Sequence, residues 1–132
     1  MLVMKFGYTI VYVADVAATL SFYETAFGLK RRFLHESGTY GELDTGGTTL
    51  AFAAHTLGES NFENGYVHAD RSPKPLGMEI GFITDSVEQA HAKALQSGAI
   101  ELAAPKTKPW GQVVSYVRAP EGTLIELCTP VI

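Results

Sequence analysis

The chain has 132 residues, 46% of them apolar, and a formal net charge of −4. This supports one ordered domain with a real core, and it argues against disorder, a membrane span, or nucleic acid as the main partner. The first residues, Met1-Leu2-Val3-Met4-Lys5-Phe6, lack a secretory pattern, and the single cysteine, Cys128, permits no internal disulfide, so a cytoplasmic location is expected.

Residues 6–13 are rich in β-branched and aromatic side chains and predict a strand. Asp15 is placed to cap a helix. Its apolar residues Val16, Leu20, Phe22, Tyr23 and Phe27 fall near helical spacing, and Gly28 stops it. Three shorter strands are predicted at 30–35, 40–43 and 48–55, divided by Ser37-Gly38 and Asp44-Thr45-Gly46-Gly47. A polar stretch at 58–77 follows. It reads either as a plain connector or, through Asn61-Phe62-Glu63-Asn64-Gly65-Tyr66, as a segment that packs over the fold. Next come a strand at 78–84, a cap at Asp85 or Ser86, and a helix carrying Val87, Ala90, Ala94 and Leu95 that ends at Ser97-Gly98. Strands at 100–103, 112–118 and 123–128 close the chain, the last two joined by Pro120-Glu121-Gly122.

The order strand, helix, three strands therefore occurs twice. Tyr8 to Val16 aligns with Glu79 to Val87 at an offset of 71 residues, and Gly28 with Gly98 at 70. The expected organisation is a single domain over 1–132, with module 1 at about 1–57, a linker at about 58–77 and module 2 at about 78–132. No Gly-rich phosphate loop, CxxC, HExxH or GxSxG is present, so function has to be sought in the architecture.

Three stretches carry a family resemblance. They are Tyr12-Val13-Ala14-Asp15-Val16 with Ser21-Phe22-Tyr23-Glu24-Thr25-Ala26-Phe27-Gly28-Leu29, then Tyr40-Gly41-Glu42-Leu43-Asp44, and above all Tyr116 to Leu127. In that order the chain resembles the vicinal oxygen chelate superfamily, the group of glyoxalases, bleomycin resistance proteins and extradiol dioxygenases. The resemblance implies an α+β fold. Two βαβββ modules form a curved, partly closed mixed-sheet barrel with helices outside and a ligand cup inside, and many members are homodimers.

With helices outside, alternation along each strand assigns faces. Ile125 and Leu127 go outward, while Leu124, Glu126 and Cys128 go inward. Tyr8, Ile10 and Tyr12 point inward from the first strand, Glu79, Gly81 and Ile83 from the fifth, and Thr49, Ala51 and Ala53 from the fourth. In the seventh strand it is the match to the family motif that implies Gln112, Val114 and Tyr116 inward and Val113, Ser115 and Val117 outward, which leaves Ser115 an awkward outward residue. Glu126 thus faces the interior, where a carboxylate needs a partner.

In metal-using relatives the ligand places fall on the first and last strand of each module. By position these are Tyr8, Ala51, Glu79 and Glu126. Only Glu79 and Glu126 offer good oxygen donors, and the usual imidazoles are missing. The leading expectation is a binding protein without a cofactor. It takes a small, planar or aromatic molecule in a cup formed by Tyr8, Tyr12, Ala51, Trp110 and Tyr116, with His55 at the mouth. The alternative is a lactoylglutathione lyase-like or dioxygenase-like enzyme in which Glu126 and Glu79 act on a proton or hold a divalent metal. His91 reads as an exposed or packing residue, His35 and His68 as surface residues, and Cys128 as a small buried hydrophobe. The expected partners are a small molecule and a second copy of the chain.

Overall fold

The computed structural model describes residues 2–131. Contacts divide them into two compact units. One runs to Glu24 and includes Gly28–His68; the other comprises Thr25–Phe27 and Ala69 onward.

Module 1 runs β1 (Tyr8–Val13), α1 (Val16–Phe27), β2 (Lys30–Leu34), β3 (Tyr40–Asp44) and β4 (Thr49–Ala54), followed by the short helix α2 (His55–Glu59). Asp15 caps α1, its Oδ1 accepting from the Ala18 N–H at 3.0 Å. Gly28 ends the helix in the left-handed region, φ 70°. The strands form a mixed sheet in the order β1-β4-β3-β2, with β1 parallel to β4. On its outer face Phe52 meets Tyr23, ring centroids 4.8 Å apart. Leu20 and Val16 lie so close over Gly41 that a β-carbon there would collide with them. Val13, Val16, Leu20, Tyr23, Leu43 and Phe52 are the buried core of this unit.

Module 2 repeats the plan with β5 (Glu79–Ile83), α3 (Val87–Gln96), β6 (Ile100–Thr107), β7 (Val113–Arg118) and β8 (Leu124–Cys128). Its sheet order is β5-β8-β7-β6, with β5 parallel to β8. The turn before β8 depends on Gly122, whose φ is 98° and where an added β-carbon would collide with the Ala69 backbone. Arg118 secures the same region by donating to Ala69 O at 2.8 Å and Ser72 O at 2.9 Å.

The eight strands make two separate four-stranded sheets, and among the described residues no closed barrel exists. Most strand ends differ from expectation by a residue or two, β1 for example beginning at Tyr8 rather than at residue 6, and two differences have a local cause. The fourth strand stops at Ala54, because His55 begins α2. The sixth extends to Thr107 through two register shifts, which let it continue past Pro105. Among the described residues no helix is long and apolar enough to cross a membrane.

Candidate functional site

The register fixes the faces of module 2. Glu126 lies opposite Tyr116 on β7 and Gly81 on β5; Cys128 lies opposite Val114 and Ile83; Leu124 lies opposite Arg118 and Glu79. These residues share the helix-free face. The other face presents Ser115, Val117, Ile125 and Leu127, each at most 1% exposed. Ser115 is accommodated there because its hydroxyl pairs with His91 Nδ1 of α3 at 2.9 Å, while His91 Nε2 meets Glu101 Oε2 at 2.7 Å. His91 is therefore a buried packing residue whose polar atoms are all satisfied.

On the helix-free face the Glu79 and Glu126 carboxyl groups are neighbours, close enough to hydrogen-bond when one of them is protonated. Two carboxyl groups bond only through a proton that one of them carries. That bond, then burial, then the charge of Glu126, push Glu79 up to about 7. The Tyr116 hydroxyl donates to Glu126 Oε1 at 3.3 Å, and burial followed by the two carboxylates raises its phenol. Burial and then Glu126 also raise the Cys128 thiol, which leaves it an inert neighbour. Among the described residues no Lys, Arg or His is paired with Glu79 or Glu126. Trp110 lies just before β7 and is 65% exposed. Its Nε1 donates to Gln112 Oε1 at 2.9 Å, and Gln112 in turn donates to Thr129 O. Trp110, Gly111, Gln112, Thr129 and Pro130 line a cavity of about 170 Å³.

Tyr8, Tyr12, Ala51 and His55 belong to the other unit. Tyr8 is 57% exposed, and Ala51, paired with Glu42 and Ile10, is fully buried. The Tyr12 ring packs on Tyr66 with centroids 4.8 Å apart, over Gly58 of α2, where a β-carbon would strike both rings. The 60–68 segment thus packs back on its own module. His55 does not stand open; its ring is stacked on His68 and its Nδ1 meets the Tyr66 hydroxyl at 2.7 Å. His68 departs from the surface role expected of it, since its side chain is only 13% exposed.

Sequence reasoning passed over Glu42. Only 8% exposed, it accepts from the Tyr40 hydroxyl at 2.7 Å and lies 3.5 Å from Arg32, whose guanidinium also reaches Asp44 at 3.5 Å. Burial and then the bond to Glu42 raise the Tyr40 phenol. The signal was available: Leu43 goes outward, so alternation sends Glu42 inward.

Of the four places implied as metal ligands, Ala51 has no donor and is buried, and Tyr8 carries only a phenol. Glu79 and Glu126 are left as a pair of neighbouring carboxyl groups. This donor set lacks the imidazoles that zinc and iron sites take, so it does not fit such an ion.

Residues 6–132 match the family model described as a glyoxalase-like domain. No curated protein matches the chain. Among solved structures, a glyoxalase-related enzyme from Fulvimarina pelagi is similar with a TM-score of 0.81 at 18% identity, covering 97% of this chain and 89% of that one. A glyoxalase/bleomycin resistance protein/dioxygenase family enzyme from Burkholderia phytofirmans gives 0.77 at 21% identity, covering 98% and 100%. A member of the same superfamily from Sphaerobacter thermophilus gives 0.71 at 20%, again covering 98% and 100%. At these identities the likeness establishes the fold alone.

Proposed function

The chain belongs to the glyoxalase-like domain family, and from that premise we propose that it binds a small, planar or aromatic molecule on the helix-free face of module 2 without a transition metal. The observation that carries this reading is the placing of Glu79 beside Glu126, with Glu126 touched by Tyr116 and neither carboxyl paired with a basic side chain among the described residues. A ligand there meets both acceptors and a donor, with Tyr116 and the exposed Trp110 offering aromatic surface. The same proposal includes a sheet that curls toward a partly closed barrel around the cup, and a cytoplasmic protein.

The test is calorimetric titration of metal-stripped protein with a panel of planar heteroaromatic compounds, neutral and cationic. Binding that weakens at least about 10-fold in E126Q supports the reading, as expected when a charge-assisted hydrogen bond is lost. Absence of binding across the panel, with Mn²⁺ or Zn²⁺ binding that E126Q abolishes, overturns it.

One observation favours a second reading. A carboxyl held near neutrality suits a general acid or base, so Glu79 and Glu126 would move a proton beside a substrate carbonyl in a lyase or isomerase reaction. Turnover of glutathione hemithioacetals, lost in E79Q and E126Q, would establish it.

The proposed partner is a second copy of the chain. Each sheet ends in two edge strands, and at the two ends of β5 Met78 is 68% and Ile83 71% exposed. Light scattering at micromolar concentration is expected to give the dimer mass; a monomer contradicts this.

A further inference from the structure

Module 1 holds a second cluster of ligating side chains, on α2 and the segment after it. His55 opens α2 and Glu59 closes it, four residues on and hence on the same helix face. The chain returns so that the His68 ring stacks on the His55 ring, centroids 3.7 Å apart and planes 2° from parallel. Each imidazole has one nitrogen already fixed by an outer partner. The Tyr66 hydroxyl meets His55 Nδ1 at 2.7 Å, and the Glu59 carboxylate meets His68 Nε2 at 2.8 Å. The ligating nitrogens of the two histidines lie within 4.8 Å of each other, and His68 Nδ1 is buried with no hydrogen-bond partner.

A phenol or carboxylate on one ring nitrogen, with the other nitrogen turned inward, is how metal-binding histidines are oriented. A buried lone pair without a partner is costly unless something fills it. We propose that His55 Nε2 and His68 Nδ1 form a site for a borderline-soft divalent ion such as Zn²⁺, Ni²⁺ or Cu²⁺, with Glu59 and Tyr66 as its outer-shell partners and water among the remaining ligands. The site is separate from the carboxylate pair of module 2. The imidazole and carboxylate chemistry selects these ions over Mg²⁺ or Ca²⁺, which favour all-oxygen sets. Metal–nitrogen bonds of about 2.0–2.1 Å require the stacked rings to tilt apart. The ion therefore fixes the 60–68 segment to α2, and the rearrangement reaches Tyr66 and Tyr12.

Zn²⁺ alone is titrated into the metal-stripped full chain, and the Cu²⁺-loaded wild type is examined by pulsed electron paramagnetic resonance. One equivalent of Zn²⁺ is expected to bind. H55N and H68N should abolish that binding, E59Q should weaken it about 10-fold, and the E79Q/E126Q double variant should keep it. The Cu²⁺ spectrum, which needs no variant to fold, should show two coordinated imidazoles. The proposal is overturned if Zn²⁺ does not bind, if H68N binds as tightly as wild type, if E79Q/E126Q removes binding, or if fewer than two imidazoles couple to Cu²⁺.

Discussion

At matching positions of the two modules the chain carries an alanine and a glutamate. Ala51 pairs with Glu42 on β3 and Ile10 on β1; Glu126 pairs with Tyr116 on β7 and Gly81 on β5. Around Ala51 the face is closed: Ala51 is fully buried and its cross-strand neighbour Glu42 is held by Tyr40 and Arg32. Around Glu126 the face is more open, and Glu79 and Glu126 lie side by side with no basic side chain paired to them among the described residues, which pushes Glu79 up to about 7. One supersecondary plan thus serves two purposes. Charge on the first face is balanced within the module, while the second keeps unspent hydrogen-bonding capacity, the property a binding site requires.

The largest effect should come from exchanging the two residues. A51E forces a second carboxylate against Glu42 in a fully buried place and should cost about 3 kcal/mol or more, or prevent folding. E126A, on the half-exposed face, should cost less than about 1 kcal/mol. Urea denaturation of both variants checks this; equal losses would erase the distinction.

A smaller difference should separate the two tyrosines. Y40F leaves a buried carboxylate short of a donor and should destabilise by about 1–2 kcal/mol. Y116F removes a long 3.3 Å bond on the other face and should cost about 0.5 kcal/mol or less. Comparable losses would mean that Tyr116 is as structural as Tyr40.

The smallest expected effect is in pH dependence. Glu79 is raised from 4.5 to about 7 in the folded protein. The folded state therefore binds this proton more tightly than the unfolded state does. The stabilisation is fully present below about pH 4.5 and is lost as pH rises through about 7. E79Q should flatten that decline in a denaturation series from pH 5 to 8. An unchanged slope would show that the pair does not hold its proton.

Most of the fold could be read from local pattern. The β-branched runs, the Asp15 cap, the Gly28 stop and the 71-residue offset each have a short-range cause. Alternation also sent Glu79 and Glu126 to one face. The misses have long-range causes. Helix α2 is five residues long with no side-chain cap, and it follows directly on a strand-like run. His68 meets His55 across 13 residues of a segment with no hydrophobic period. Ser115 looked misplaced because its partner, His91, sits on a helix 24 residues away.

The central claim is that Glu79, set beside Glu126 on the helix-free face of module 2, holds its proton far above the ordinary carboxylate range. Carbon-13 NMR of the Glu79 side-chain carboxyl, followed from pH 3 to 9, measures this directly. The account predicts that Glu79 keeps its proton to about pH 7. A Glu79 titration near the ordinary glutamate value of about 4.3 would contradict it.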